Sequence, residues 1–299
     1  MTHPTFLAFD TTGLWVGKFE TGYDGATSTA GAQVNSVDTS KIIIKPNVYS
    51  WRNITVGNAF KNSYDYNRNL DSHMMKNTEW GSVAYLQHSK YGSMVNVRIN
   101  NNSAYITGYA ATVEPTLGYN NETSIDGNRV EPTSLGSDGI YTVNYLNQKS
   151  VVASTTNNYS GIYDTSGGAW DYVMGYTTKA TTLGGSSNIT SLYSNFFSDS
   201  AYLKYWDKYN STERTDYNNR ILGDATGEMG PFGTEKDPDG IARNRSSWYK
   251  NFADFAFDSV SWFFRSGYWG DGTGAGLFIT TVYTGSCNSS ISYRIVLAP

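Results

Sequence analysis

The side chains that most often perform nucleophilic or metal chemistry are scarce in this chain. Its 299 residues include one cysteine, Cys287, and three histidines, at positions 3, 73 and 88. The histidines are too scattered for a metal motif, and Cys287 lies between Ser286 and Asn288 without a neighbouring base. An intrachain disulfide and a cysteine-based zinc site are therefore excluded, and the surroundings of Cys287 favour an incidental thiol.

Three short segments have the residue types of known sites but lack part of each pattern. Asp237 begins a D-x-D-G run typical of calcium loops, but the twelfth position is Trp248 instead of glutamate, which favours an ordinary turn. The glycine-rich run at 270–276 lacks the lysine and the following helix of a phosphate loop. Asp224 and Glu228 indicate capping or bracing of a loop. We therefore predict no catalytic residue and no cofactor, and leave a structural calcium ion open.

The composition favours a surface that binds other molecules. Charged residues make up only 16% of the chain and aromatic residues 15%, with 24 tyrosines and 8 tryptophans. Tyrosine together with serine, asparagine and glycine is typical of antibody-like contact surfaces. The net charge of -4 and the lack of a long basic run argue against nucleic acid. No apolar run reaches 18 residues, so we expect no membrane insertion, and the N-terminus lacks the pattern of a signal peptide.

The hydrophobic patterns predict a few regular elements separated by long loops. Residues 71–92 form the strongest helix pattern, with Asp71 or Ser72 as the N-cap, Gly92 at the C-terminal end and an apolar arc that ends at Leu86. The other expectations are strands at 13–21, 42–44 and 103–110, a short helix within 51–67, partly helical structure within 191–210, and loops at about 112–156 and 225–250.

Two segments together resemble a known superfamily. Residues 166–176, "SGGAWDYVMGY", resemble the G-N-V-W-E-W signature of the formylglycine-generating enzymes, with Trp170 and Asp171 at the first W and the E. "WFFRSGYW" and the later "SYRIVL" resemble the R-G-G-S-W … G-F-R ending of the same superfamily. Arg265 and Arg294 occupy the two arginine positions, whereas Ser266 replaces the first glycine.

Two further segments fit the same order. "GLWVGKFETG" is similar to the first strand of the superfamily, and "NTEWGSVAYLQHSKYG" stands at its W-x-x-A-x-x-Y helix. The resemblance implies an α+β fold of the C-type-lectin type, formed by a single domain over residues 1–299 with long loop insertions. The enzymes use two cysteines near the C-terminus, and Cys287 alone cannot supply both, so the resemblance extends to the fold and not to the oxidase activity.

A narrower resemblance is to the variable proteins of diversity-generating retroelements, which occur on phage tail tips and bacterial surfaces. In that family, mutagenesis directed at adenines diversifies C-terminal codons and cannot produce lysine, glutamate, glutamine, methionine or tryptophan from AAC. The first four of these residue types are absent between positions 268 and 292, and Trp269 is the one residue there that AAC cannot yield. The resemblance therefore implies a variable ligand-binding region at about 258–292, on a phage virion or a bacterial cell surface.

We accordingly predict non-catalytic binding to a protein or glycan on a cell surface, and an oligomer is compatible with this prediction. The expected contact residues are Tyr268, Trp269, Asp271, Leu277, Ile279, Thr281, Tyr283, Ser286 and Asn288. The expected scaffold residues are Trp170, Trp262, Arg265, Gly267, Phe278 and Arg294. Strand alternation would expose the odd positions from 277 to 283 and bury Phe278. An enzyme of the formylglycine-generating type with altered chemistry and a structural pilus or virion subunit stay open as alternatives.

Overall fold

The computed structural model describes residues 13–46, 48–92, 97, 132–135, 141–143, 154–156, 160–177, 187–214, 216–226, 254–271 and 275–299. Within these ranges the chain is a mixed α and β structure. The strands are β1 (Trp15–Val16), β2 (Gly22–Tyr23), β3 (Ile42–Ile43), β4 (His73–Met74), β5 (Pro132–Leu135), β6 (Tyr141–Val143), β7 (Trp170–Thr177), β8 (Asp207–Tyr209), β9 (Trp262–Arg265), β10 (Thr280–Tyr283), β11 (Ile291–Tyr293) and β12 (Ile295–Leu297). The α-helices are α1 (Val56–Tyr66), α2 (Asn77–Gln87) and α3 (Ile189–Leu192).

The main sheet is built around β7. Its strand order is β10-β9-β7-β11, and β8 also pairs with β7. β9 runs antiparallel to β7, whereas β11 and β8 run parallel to the first and last parts of β7. A second, antiparallel sheet has the order β1-β12-β4. Only Arg294 separates β11 from β12, so the chain passes from one sheet to the other at this residue.

Both faces of the main sheet are covered by apolar side chains. Successive residues of a strand point to opposite faces. In β9, Trp262 and Phe264 accordingly belong to one buried cluster and Phe263 to another. α1 contributes Phe60 to the first cluster, and α2 contributes Trp80 to the second. The two helices therefore lie on opposite faces of the sheet.

The short helix expected within residues 51–67 is α1. Thr55 is its N-cap, and the Thr55 hydroxyl accepts a hydrogen bond from the Asn58 backbone N–H at 3.4 Å. Gly57 lets the helix approach a neighbouring segment closely, because a Cβ at this position would lie 2.7 Å from the Ile189 nitrogen.

The predicted ends of the second helix are wrong. α2 starts at Asn77, six residues after Asp71, because His73 and Met74 form β4 instead. Two carboxylates cap the helix start: Glu79 accepts a hydrogen bond from the Lys76 N–H at 2.8 Å, and Asp207, distant in the sequence, accepts one from the Thr78 N–H at 2.7 Å. The C-cap is His88 and not Gly92. Leu86, expected in the apolar arc, is 42% exposed.

Other predicted elements have mixed outcomes. The expected strand at 42–44 is β3, but the strand expected over 13–21 is limited to β1. The region expected to be a loop at 112–156 contains the hairpin of β5 and β6. Between 191 and 210 the only helical turns are the last residues of α3 and a 3₁₀ helix at Leu203–Tyr205. The strand expected at 103–110 and nearly all of the loop at 225–250 lie outside the described residues.

Among the described residues, no helix has both the length and the apolar character required to cross a bilayer.

Trp262 provides a direct test of the core. Its side chain is fully buried and packs against Tyr176 and Phe197. We expect Trp262→Ala to lower the free energy of unfolding by about 3–5 kcal/mol, as large aromatic truncations in a core do. Thr281→Ala, at a partly exposed position, should change it by less than about 0.5 kcal/mol. Urea unfolding followed by circular dichroism measures both, and the reverse order would contradict the packing described here.

Candidate functional site

The chain leaves β9 through a tight turn. Ser266 has a φ of 75°, in the left-handed region that disfavours residues with a Cβ atom. Its hydroxyl donates a hydrogen bond to the Asp164 carbonyl at 3.0 Å, which fixes the side chain in the turn. At the next residue, Gly267, a Cβ would lie 2.6 Å from the Cβ of Ala275. The turn therefore needs a small residue at 267, and it directs Tyr268 and Trp269 away from the strand.

A connected series of aromatic rings follows this turn. The Trp170 ring lies 4.7 Å from Phe264 and 4.4 Å from Tyr268, and Tyr268 lies 5.0 Å from Trp269. Phe264 is buried, whereas Trp170, Tyr268 and Trp269 are partly exposed. The Tyr283 ring meets Phe264 edge-on at 6.5 Å and is also partly exposed. The segment after β9 and strand β10 are thus joined through Phe264.

Asp271 stabilises this series of rings through hydrogen bonds. Its Oδ2 atom accepts hydrogen bonds from the Trp170 indole N–H and the Tyr268 backbone N–H, each at 2.9 Å. Burial of the carboxylate raises the pKa of Asp271 to about 7, and the two hydrogen bonds oppose this shift. The carboxyl group therefore titrates near neutral pH while it holds two aromatic residues in place.

The prediction that Leu277 and Ile279 face solvent is wrong. Both side chains are 2% exposed, as is Phe278, which was expected to be buried. Strand alternation does not apply here because residues 276–279 form a turn, in which Ile279 N donates to the Gly276 carbonyl at 3.1 Å. β10 begins only at Thr280, and from there to Tyr283 the side chains alternate as predicted, with the odd positions partly exposed.

The loop after β10 contains the last predicted contact residues. Ser286 and Asn288 are partly exposed, and Cys287 between them is exposed. The seven predicted contact residues that remain partly exposed are called the candidate face below. They are Tyr268, Trp269, Asp271, Thr281, Tyr283, Ser286 and Asn288.

Most of the predicted scaffold residues are buried. Trp262, Arg265, Phe278 and Arg294 are buried. Arg265 donates to the Ala225 carbonyl at 2.9 Å, and Asp224, which was expected to brace a loop, accepts hydrogen bonds from Thr226 and Tyr209. Trp170 differs from the others because it is only partly buried, and it supports Tyr268 directly.

Sequence reasoning missed Arg52. Its guanidinium lies 4.7 Å from the centre of the Trp269 ring and donates to the carbonyls of Ser289 and Thr29 at 2.7 and 2.8 Å. Arg52 is more than 200 positions from both Trp269 and Ser289, and no local pattern in the sequence connects them. The sequence shows only the pair "WR" at the start of the helical pattern at 51–67, and this pair does not indicate which residues Arg52 would contact.

The described residues contain no group of three or more histidine, cysteine, aspartate or glutamate side chains arranged to hold a metal ion. The D-x-D-G run that begins at Asp237, on which a structural calcium ion was considered, lies outside the described residues.

No protein-family model matches the sequence, and no curated protein has significant similarity to it.

The raised pKa of Asp271 predicts a pH-dependent stability. An aspartate in the unfolded chain titrates near pH 4, so between about pH 4 and pH 7 the folded state binds more protons than the unfolded state. The contribution of this carboxyl to stability is present below pH 4 and is lost as the pH rises through 7. We expect the stability of the parent relative to Asp271→Asn to fall between pH 5 and pH 8, by an amount on the order of 3 kcal/mol.

Urea unfolding of both proteins at pH 5, 6.5 and 8 measures this difference. Thr281→Ala serves as the control, because it changes a candidate-face residue without removing a titratable group. A difference between the parent and Asp271→Asn that stays constant across the three pH values would show that Asp271 is ionised in the fold throughout.

Proposed function

We propose that this chain is a non-catalytic binding protein with a C-type-lectin-type fold, of the kind that diversity-generating retroelements vary. In this proposal, residues 1–299 form a single domain, and the variable region at about 258–292 contacts a protein or glycan on a cell surface. The site of action is a phage tail tip or a bacterial cell surface. No cofactor takes part in binding in this proposal, and a structural calcium ion stays open.

The observation that carries this proposal is the contrast between the candidate face and the residues beneath it. The face has partly exposed tyrosine, tryptophan, threonine, serine and asparagine side chains, and its one carboxyl group is engaged in bracing. Thr281 and Tyr283 of the face pair across the sheet with Phe264 and Trp262, which are both buried. Rigid aromatic rings on a fixed base, with small polar neighbours, provide contact area at a low cost in conformational entropy.

Two further observations support the resemblance on which the proposed fold rests. Asp171 from the first motif and Arg294 from the last form a buried ion pair at 3.0 Å, so the two motifs meet in space. Ser266 stands where the superfamily has a glycine, and its φ of 75° is a conformation that glycine adopts most readily.

The retroelement part of the proposal has its own test in the neighbouring DNA. A reverse transcriptase gene beside a near-copy of the 3′ end of this gene, with adenines where the two copies differ, supports diversification. The absence of both favours an ordinary lectin-like adhesin.

The binding function predicts a specific pattern of variant effects. The labelled protein should bind to cells in a panel of fixed bacteria or to a microarray of bacterial surface glycans, in the presence of EDTA. Trp269→Ser and Tyr283→Ser should each weaken this binding by about tenfold or more, as loss of an aromatic anchor does. The matched control is Trp15→Ser, because Trp15 is 70% exposed on β1 and lies outside the candidate face.

Equal loss in the Trp15→Ser control, or binding that both face variants retain, would contradict the proposed face. The enzyme alternative makes the opposite prediction, namely that the protein converts the cysteine of a sulfatase peptide to formylglycine, with or without copper, and that Cys287→Ser abolishes the conversion. Formation of formylglycine would therefore overturn the non-catalytic function. Self-assembly into filaments without any cell or glycan binding would favour the structural-subunit alternative.

A further inference from the structure

The loop that follows β10 is held in place by its own main chain. The carbonyl oxygens of residues 285, 286, 288, 289 and 290 all accept hydrogen bonds from donors elsewhere in the chain. The Gly285 carbonyl accepts from Val56 N at 3.1 Å, the Ser286 carbonyl from the Tyr172 hydroxyl at 2.8 Å, and the Asn288 carbonyl from Asn53 N at 3.0 Å. The Ser289 carbonyl accepts from the Arg52 guanidinium at 2.7 Å, and the Ser290 carbonyl from Trp170 N at 2.9 Å. These five contacts hold the loop through its carbonyl groups and do not involve its side chains.

Most of the donors lie in or next to regular elements. Val56 is the first residue of α1 and Asn53 lies three residues before it, while Trp170 and Tyr172 lie in β7. Three of the five donors are backbone N–H groups, which are independent of residue type, while Arg52 and Tyr172 are buried. A neutral hydrogen bond contributes roughly 1 kcal/mol to stability, and one from a charged donor contributes more. Together these bonds fix the loop against the sheet and α1.

Gly285 fixes where the loop begins. It has a φ of 85°, and a Cβ at this position would lie 2.7 Å from the Trp262 ring and 2.8 Å from the Cβ of Ser187. Any other residue at 285 would have to displace the buried indole. The loop thus starts at a position where the residue type is strictly constrained.

The side chains that follow Gly285 are constrained far less. Cys287 and Ser289 are exposed, and among the described residues the Ser286 hydroxyl shares a hydrogen bond with its neighbour Thr284, at 2.9 Å. Asn288 is different, because its Oδ1 atom accepts a hydrogen bond from Ser290 N at 2.8 Å and thereby shapes the turn. The loop consequently combines a fixed backbone with three side chains that project from it.

Arg52 connects this loop to the other part of the candidate face. One guanidinium group donates to the Ser289 carbonyl and to the Thr29 carbonyl and also covers the Trp269 ring. The distance between Trp269 and the loop therefore depends on Arg52. Arg52 thus contacts both the Trp269 ring and the main chain of the loop at Ser289.

We infer that Ser286, Cys287 and Ser289 are specificity-determining positions whose side chains can be exchanged without loss of the fold, and that Arg52 is the positioning residue that makes this exchange tolerable. The specificity part of this inference rests on the proposed binding function. The backbone part does not, because it concerns the loop alone.

Hydrogen exchange measured by mass spectrometry tests the backbone part. In the double variant Cys287→Tyr/Ser289→Tyr, the melting temperature and the amide protection of Asn53, Val56 and Trp170, whose N–H groups donate to the loop carbonyls, should match those of the parent. Arg52→Lys should reduce that protection by about tenfold or more, since lysine cannot reach both carbonyls and cover the indole at once. Arg68→Lys is the matched control, because Arg68 covers the Tyr64 ring at 3.5 Å on another part of the surface. Reduced protection in the double tyrosine variant, or parent-like protection in Arg52→Lys, would overturn the inference.

Binding to the fixed bacteria and the glycan microarray tests the specificity part. The double tyrosine variant should change affinity for the bound cells or glycans by about tenfold or more, whereas Ser191→Tyr/Ser194→Tyr, at two exposed positions near α3, should not. Unchanged affinity in the loop variant would overturn the specificity assignment alone. If the parent binds no cell or glycan, the proposed function fails and the specificity assignment fails with it, while the exchange data still decide the backbone part.

Discussion

The buried ion pair between Arg294 and Asp171 is the constraint on which the arrangement of the two sheets depends. Arg294 Nε donates to the Asp171 carboxylate at 3.0 Å, and the rest of the guanidinium donates to the carbonyls of Gly17, Tyr163 and Asp164. Because Arg294 is the single residue between β11 and β12, these bonds fix the point where the chain changes sheets. Removal of one partner from such a pair typically costs about 3–5 kcal/mol, since it leaves a buried charge uncompensated.

The same network extends to the candidate face through Glu20. Burial, together with the charges of Asp171 and Asp164, raises the pKa of Glu20 well above its ordinary value, although Ser50 and Arg294 oppose the shift. The Glu20 carboxyl accepts hydrogen bonds from the Ser50 hydroxyl and from Ala169 N, directly before β7. The adjacent carbonyl, that of Gly168, accepts a hydrogen bond from Trp269 N at 3.1 Å. Trp269 is thus positioned from one side by this network and from the other by Arg52.

Sequence alone predicted the features that are encoded locally. Helix α1 and strand β3 lie where short stretches of the sequence predicted them, whereas Phe278 is buried as predicted but in a turn and not in the strand on which that prediction rested. The failures have long-range or turn-specific causes. The start of α2 is capped by Asp207, which is 129 positions from Thr78, and the turn at 276–279 buries Leu277 and Ile279 where strand alternation would expose them. Arg52 escaped notice for the same reason, since its partners are far away in the sequence.

The backbone that carries the candidate face and its loop does not depend on the side chains that it displays. The most direct test is a crystal structure of a variant in which these side chains are replaced together. The replacements are Thr281→Ala, Tyr283→Ser, Ser286→Ala, Cys287→Tyr and Ser289→Tyr. The backbone of residues 280–290 should superpose on the parent within about 1 Å, as in preorganised binding surfaces, and the Arg52 and Tyr172 hydrogen bonds should persist. A shifted register between β10 and β9, or a loop detached from Arg52, would contradict this independence.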